Sequence, residues 1–82
     1  MKVKKNLAVS DTGFVFDPGT GDSYSLNPIG QEIFKLMKED KEPSDIQEKI
    51  LSKFDVDKTT LEMHFYDFVT MLKHYQLMDK DE

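Results

Sequence analysis

Few side chains in this sequence could do chemistry, and their spacing assembles no reactive centre. There is no Cys, and His64 and His74 are the two histidines. On one helix their separation of ten positions spans about 15 Å along the axis, too far for both to hold one zinc ion. Each reads as a surface or rim histidine. Asp55-x-Asp57-x-Thr59 has the form of a calcium-loop opening. However, Thr60 stands where the sharp-turn glycine belongs, and Tyr66 where the bidentate glutamate belongs. The stretch is instead a loop entering a helix, with acidic charge that suits the helix N-terminus. Gly19-Thr20-Gly21 lacks the Gly-Lys-Ser/Thr that completes a phosphate loop, so it reads as a hairpin turn. Ser23 and Ser25 have no base near them in sequence. The expectation is a protein with no catalytic residue, no metal ligand and no cofactor.

Binding is the remaining class, and charge narrows the partner. The formal net charge is −5 over 82 residues. Residues 1–27 hold three Lys and three Asp, and residues 28–82 hold eight Lys against thirteen Asp or Glu, 8 − 13 = −5. The later part would repel a phosphate backbone, which argues against nucleic acid and favours basic peptides or protein surfaces. No apolar run approaches the ~20 residues of a membrane span. Lys2, Lys4 and Lys5 are not followed by the apolar stretch of a signal peptide. A single domain over residues 1–82, working in the cytoplasm and away from membranes, is expected.

The elements that would position a binding surface follow from periodicity and turn chemistry. Leu7 and Val9 alternate within a short first strand over residues 6–10, and Asp11-Thr12-Gly13 is a turn. Phe14-Val15-Phe16 is a second strand with both Phe on one face. Pro18-Gly19-Thr20-Gly21 is a compact loop. Residues 22–26 return as a third strand, with Tyr24 and Leu26 alternating with Ser23 and Ser25. Three strands joined by short turns make an antiparallel meander whose third strand is an edge. Asn27 is a good N-cap and Pro28 suits the first helical position. Ile29, Ile33, Phe34 and Met37 then mark a first helix to about Lys38. Ser44 with Gln47 has the form of a capping box for a second helix whose stripe is Ile46, Ile50, Leu51 and Phe54. A third helix begins near Asp57 or Thr59, where Thr59 with Glu62 is a second possible box, and runs to about Gln76.

With about 100° per residue and Phe68 at zero, Leu61, Phe65, Phe68, Leu72 and Tyr75 form the expected core stripe of this helix. Val69, Tyr66 and Met63 continue an apolar shelf onto the opposite side. They are either partly buried margin residues or a contact patch.

The order of these segments resembles the PqqD-like family of peptide chaperones, named after pyrroloquinoline quinone biosynthesis protein D and also called precursor-peptide recognition elements. The segments that carry the resemblance are Tyr24-Ser25-Leu26-Asn27, Pro28-Ile29-Gly30-Gln31-Glu32-Ile33, Pro43-Ser44-Asp45-Ile46 and Phe54-Asp55-Val56-Asp57. Phe68-Val69-Thr70-Met71-Leu72 followed by Leu77 completes them. Two departures stand out: His64 where the family often has an acidic residue, and Gln76 where it has a Gly. The second implies a less sharply broken helix end.

The resemblance implies an α+β, winged-helix-like fold, a three-stranded antiparallel sheet followed by three helices. It implies binding of the leader segment of a ribosomally synthesised precursor peptide and its presentation to a modifying enzyme, commonly a radical SAM (S-adenosylmethionine) protein. The leader adds as a strand to the third strand and packs on the third helix. The site residues so implied are Ser23, Tyr24, Ser25 and Leu26 on the strand, with Phe65, Tyr66, Val69 and Lys73 on the helix. An extended peptide with two apolar anchors would bind at micromolar strength, about −8 kcal/mol. The strand itself suits this, with no Pro to break its ladder and no Lys guarding its edge. The alternative is a winged-helix DNA-binding or regulatory domain, disfavoured because residues 57–76 carry Lys58 and Lys73 against Asp57, Glu62 and Asp67. A further reading is a structural subunit pairing through Met63 and Tyr66. The oligomeric expectation is a monomer or weak homodimer.

Overall fold

Turn chemistry around Asp17 sets the sheet. In the computed structural model, which describes residues 2–79, the Asp17 carbonyl accepts from the N–H groups of Thr20 (3.3 Å) and Gly21 (2.8 Å). Its carboxylate accepts from the Gly19 N–H at 2.9 Å. Gly21 takes φ +81°, which a side chain would resist. The loop therefore closes a hairpin between β2 (Phe14–Asp17) and β3 (Asp22–Ser25). β1 (Ala8–Val9) lies on the other side of β2, so the antiparallel order is β1-β2-β3. The meander is as the sequence predicts.

The first strand is shorter than predicted. Leu7 precedes the ladder, its N–H turned back to the Lys4 carbonyl at 3.5 Å. It is buried while Val9 is exposed, so the two do not share an apolar face. Phe14 and Phe16 do share one, but it is the solvent face, and Val15 and Asp17 point inward.

Three helices follow: α1 (Pro28–Lys38), α2 (Pro43–Lys53) and α3 (Lys58–His74). Asn27 caps α1 as expected, its Oδ1 accepting from the Gly30 N–H at 2.7 Å. The two predicted capping boxes do not form. Pro43 is itself the first helical residue, because its fixed φ suits that position, and Glu42 is the N-cap. α3 starts behind Asp57, two residues before the Thr59 box would begin.

The end of α3 corrects the expectation drawn from Gln76. Gln76 adopts φ +58°, with its N–H on the Lys73 carbonyl (3.1 Å) and the Leu77 N–H on the Leu72 carbonyl (2.8 Å). That is a Schellman termination without glycine, closed by burial of Leu72 and Leu77. The helix is broken sharply there.

The core gathers Val15, Ile33, Phe34, Met37, Ile46, Ile50, Leu61 and Leu72 between the sheet and the helices. Two chain ends meet along one margin. Val3 bridges Met78, the Lys4 N–H donates to the Leu77 carbonyl at 2.9 Å, and the Asp79 N–H donates to the Lys2 carbonyl at 3.1 Å. No described helix is long and apolar enough to cross a membrane.

Candidate functional site

The candidate surface is the outer edge of β3, and hydrogen-bond parity shows which of its groups face outward. β3 pairs with β2 in the register Phe14↔Ser25, Val15↔Tyr24, Phe16↔Ser23. Just beyond, the Leu26 N–H donates to the Gly13 carbonyl at 2.8 Å. In an antiparallel pair, hydrogen-bonded and non-hydrogen-bonded positions alternate. Since Leu26 points at β2, so does Tyr24, and the N–H and C=O groups of Ser23 and Ser25 point away. No described strand lies on that side. The margin is a template for another extended chain.

Beneath the edge is a wall that the sequence places only in part. The Tyr24 ring meets the Tyr75 ring at 4.9 Å between centroids, tilted by 45°. At the strand–helix corner, Gly30 sits so close to Leu26 and Phe68 that an added Cβ would stand 3.6 Å from Leu26 Cβ and 3.4 Å from the Phe68 ring. The Gln31 Nε2 donates to the Leu26 carbonyl at 3.0 Å, and its side chain lies across Gly13, which has φ +90°. Gly13, Leu26 and Gln31 thus clamp the end of β3 to α1. Beside the corner is a cavity of about 300 Å³ lined by Asn27, Ile29, Gly30, Ile33, His64, Asp67 and Phe68. Its lining mixes apolar Ile29, Ile33 and Phe68 with polar Asn27, His64 and Asp67.

The Tyr24 phenol is held above its ordinary range. Partial desolvation is the leading cause, followed by the carboxylates of Asp22 and Asp17, then Tyr75.

The four helical residues expected from the sequence lie together on α3. Phe65 and Val69 are buried in the core, whereas Tyr66 is 72% exposed and Lys73 is exposed. These four line a shallow cavity of about 390 Å³ with Glu62 and Thr70, and its walls among the described residues come from α3 alone. Of the shelf proposed from periodicity, Val69 belongs to the core, and Met63 is 64% exposed. The buried stripe of Leu61, Phe65, Val69 and Leu72 is centred about 55° round from Phe68. Phe68 and Tyr75, assigned to the core from the sequence, are partly buried and exposed respectively. One signal was available: a Tyr in a core stripe carries a hydroxyl that must reach water or a partner, so Tyr75 marked where the stripe surfaces.

Comparison with known proteins adds three findings. The family described as Coenzyme PQQ synthesis protein D matches residues 13–78. The solved structure of TbiB1 in complex with the TbiA(beta) leader peptide is similar at TM-score 0.84 and 28% identity, over 98% of this chain and 96% of that one. Lasso peptide synthetase B1 complexed with the leader peptide shares the fold at TM-score 0.76 and 24% identity, over 94% of this chain and 93% of that one. Among curated proteins the sequence finds no significant match.

Proposed function

The chain belongs to the PqqD family, and on that premise we propose that it binds the leader segment of a ribosomally made precursor peptide. The leader adds as a fourth strand at β3. The domain, residues 1–82 acting as one unit in the cytoplasm, then presents the peptide to a modifying enzyme of the radical SAM or another class. Its own role is non-catalytic.

The observation that carries this reading is the free edge of β3, where Ser23 and Ser25 offer outward main-chain donors and acceptors. Main-chain pairing supplies affinity without demanding a fixed sequence, and side-chain contacts supply the selection. That TbiB1, similar over nearly the whole chain, is in complex with a leader peptide supports a leader as the ligand. We assign one wall of the groove to Tyr24 and Leu26 and the other to Phe68 and Tyr75. Phe65 and Val69 support that wall from the core, while Tyr66 and Lys73, also expected from the sequence, border the separate cavity on the far flank of α3.

The parity of the edge makes the test specific. Proline at Ser23 or Ser25 removes an outward N–H and leaves the β2 ladder intact, a position where an edge strand tolerates it. Calorimetric titration with the leader of a precursor encoded beside this gene should show binding to the native protein and none to Ser25→Pro. Equal isotherms for folded Ser23→Pro and Ser25→Pro proteins would remove strand addition from consideration.

A further inference from the structure

The outer face of the sheet has no place in the groove just described. We infer that Phe14 and Phe16 select the outward-facing side chains of the added strand, favouring aromatic or long aliphatic residues at alternate positions. This rests on the strand-addition reading and extends it to a second face.

The register puts Ala8, Phe16 and Ser23 in one row across that face, and Phe14 with Ser25 in the next. Phe14 is 51% exposed and Phe16 43%. Ser10, paired through its N–H to the Phe14 carbonyl at 2.9 Å, extends the second row. These six positions carry no charge in a chain that is 33% charged, so the face is an uncharged apolar shelf with serines toward the open edge. Neither ring belongs to the core, which the strand reaches through Val15 on its other face.

Pleat geometry supplies the occupant. Side chains of a strand added to β3 must alternate between the two faces, so every second residue emerges beside Ser23 or Ser25. The added strand would lie two spacings, roughly 9.6 Å, from β2. Ser23 and Ser25 are too short to fill the gap, so a long side chain on the new strand can meet the Phe rings across the serines. That separation exceeds a cross-strand pair, so only two long side chains reaching toward each other over the serines, aromatic or long aliphatic, can close it; small or charged ones would leave the rings wet. The leader therefore gains selectivity from both faces, with the inner positions read by Tyr24, Leu26 and Phe68 and the outer ones by the Phe pair.

The test is selection from a phage-displayed library of random dodecapeptides on the native protein, on the double variant Phe14→Thr/Phe16→Thr and on Ser25→Pro. Native selection should return period-two peptides enriched in large apolar residues on both alternating sets. The double variant should lose enrichment on one set only, and a native-selected peptide should bind it about tenfold more weakly, the scale of lost aromatic contacts. Ser23→Glu, which sets a charge in the gap and leaves both rings in place, should give the same one-sided loss, so the test does not depend on the double variant folding. Unchanged enrichment and affinity on the Phe and Glu variants, with binding still abolished by Ser25→Pro, overturns this inference and leaves strand addition standing. Native-selected peptides that bind Ser25→Pro undiminished, or a native selection without period-two peptides, overturn both. Unchanged selection together with a dimer, seen by sedimentation, that the Phe variant dissociates gives the face to a second copy and overturns the inference.

Discussion

The two flanks of α3 differ in what stands opposite them. On one flank Phe68 and Tyr75 face the strand–helix corner and Tyr24, so each apolar group has a second element across from it. On the other flank Glu62, Tyr66, Thr70 and Lys73 border a cavity whose described walls are all α3. The second flank holds the more exposed aromatic residue, Tyr66, yet exposure alone creates no groove. A groove needs two walls held at a fixed distance; here Gly13, Leu26 and Gln31 clamp the end of β3 to α1, and Phe68 of α3 packs against Gly30 of the same helix. Exposed apolar residues are common on protein surfaces; an unpaired strand edge beside a packed aromatic pair is the more discriminating feature.

The strongest way to break this asymmetry is to undo the clamp. Gly13→Ala places a side chain at φ +90° and against the Gln31 amide. Left-handed backbone strain of about 1–2 kcal/mol and loss of a hydrogen bond worth about 1 kcal/mol should together cost roughly 2–3 kcal/mol. Urea unfolding measures this, and a loss below the error of the fit would show that the corner is not held there.

A smaller contrast sharpens the choice of flank. Phe68→Ala should cost about 2 kcal/mol, less than the ~3–5 of a fully buried Phe, and weaken leader binding at least about tenfold. Tyr66→Ala should stay within about 0.5 kcal/mol in stability and within about twofold in affinity. Reversed binding effects in the two titrations would move the groove to the other side of the helix.

The smallest effect is electrostatic. With the Tyr24 phenol raised by partial desolvation and by Asp22 and Asp17, the stability it contributes is fully present below the ordinary tyrosine pKa. That stability is lost as pH rises through the higher folded value. Alkaline difference absorbance should show an ionisation step that Tyr24→Phe removes and that Asp22→Asn brings to lower pH. A Tyr24 step unmoved by Asp22→Asn would contradict the placement of Tyr24.

Much of the framework was legible in the chain. The Pro-Gly-Thr-Gly loop, the Asn27-Pro28 helix start and the alternation of Tyr24 with the serines are local signals, and each acts within a few residues of where it stands. They suffice to order the strands, to leave β3 at the edge and to begin α1 where it begins. The expected Ser44 cap of α2 was misplaced, since Pro43 took the first helical position, whereas α3 begins behind Asp57, one of its two expected starts.

What sequence could not supply was orientation. Alternation shows that Phe14 and Phe16 share a face, and helical spacing shows that Leu61, Phe65, Phe68 and Leu72 share a side. Neither period says which face turns inward, because that depends on the area other elements can cover. The helices covered the side of β2 bearing Val15, so both Phe rings faced water. Packing among α1, α2 and the sheet drew Val69 into the core and turned Phe68 and Tyr75 toward β3. The bridge between Val3 and Met78 likewise joins residues at opposite ends of the chain. Local composition decided which elements exist, and competition for the one buried interior decided which way each of them faces.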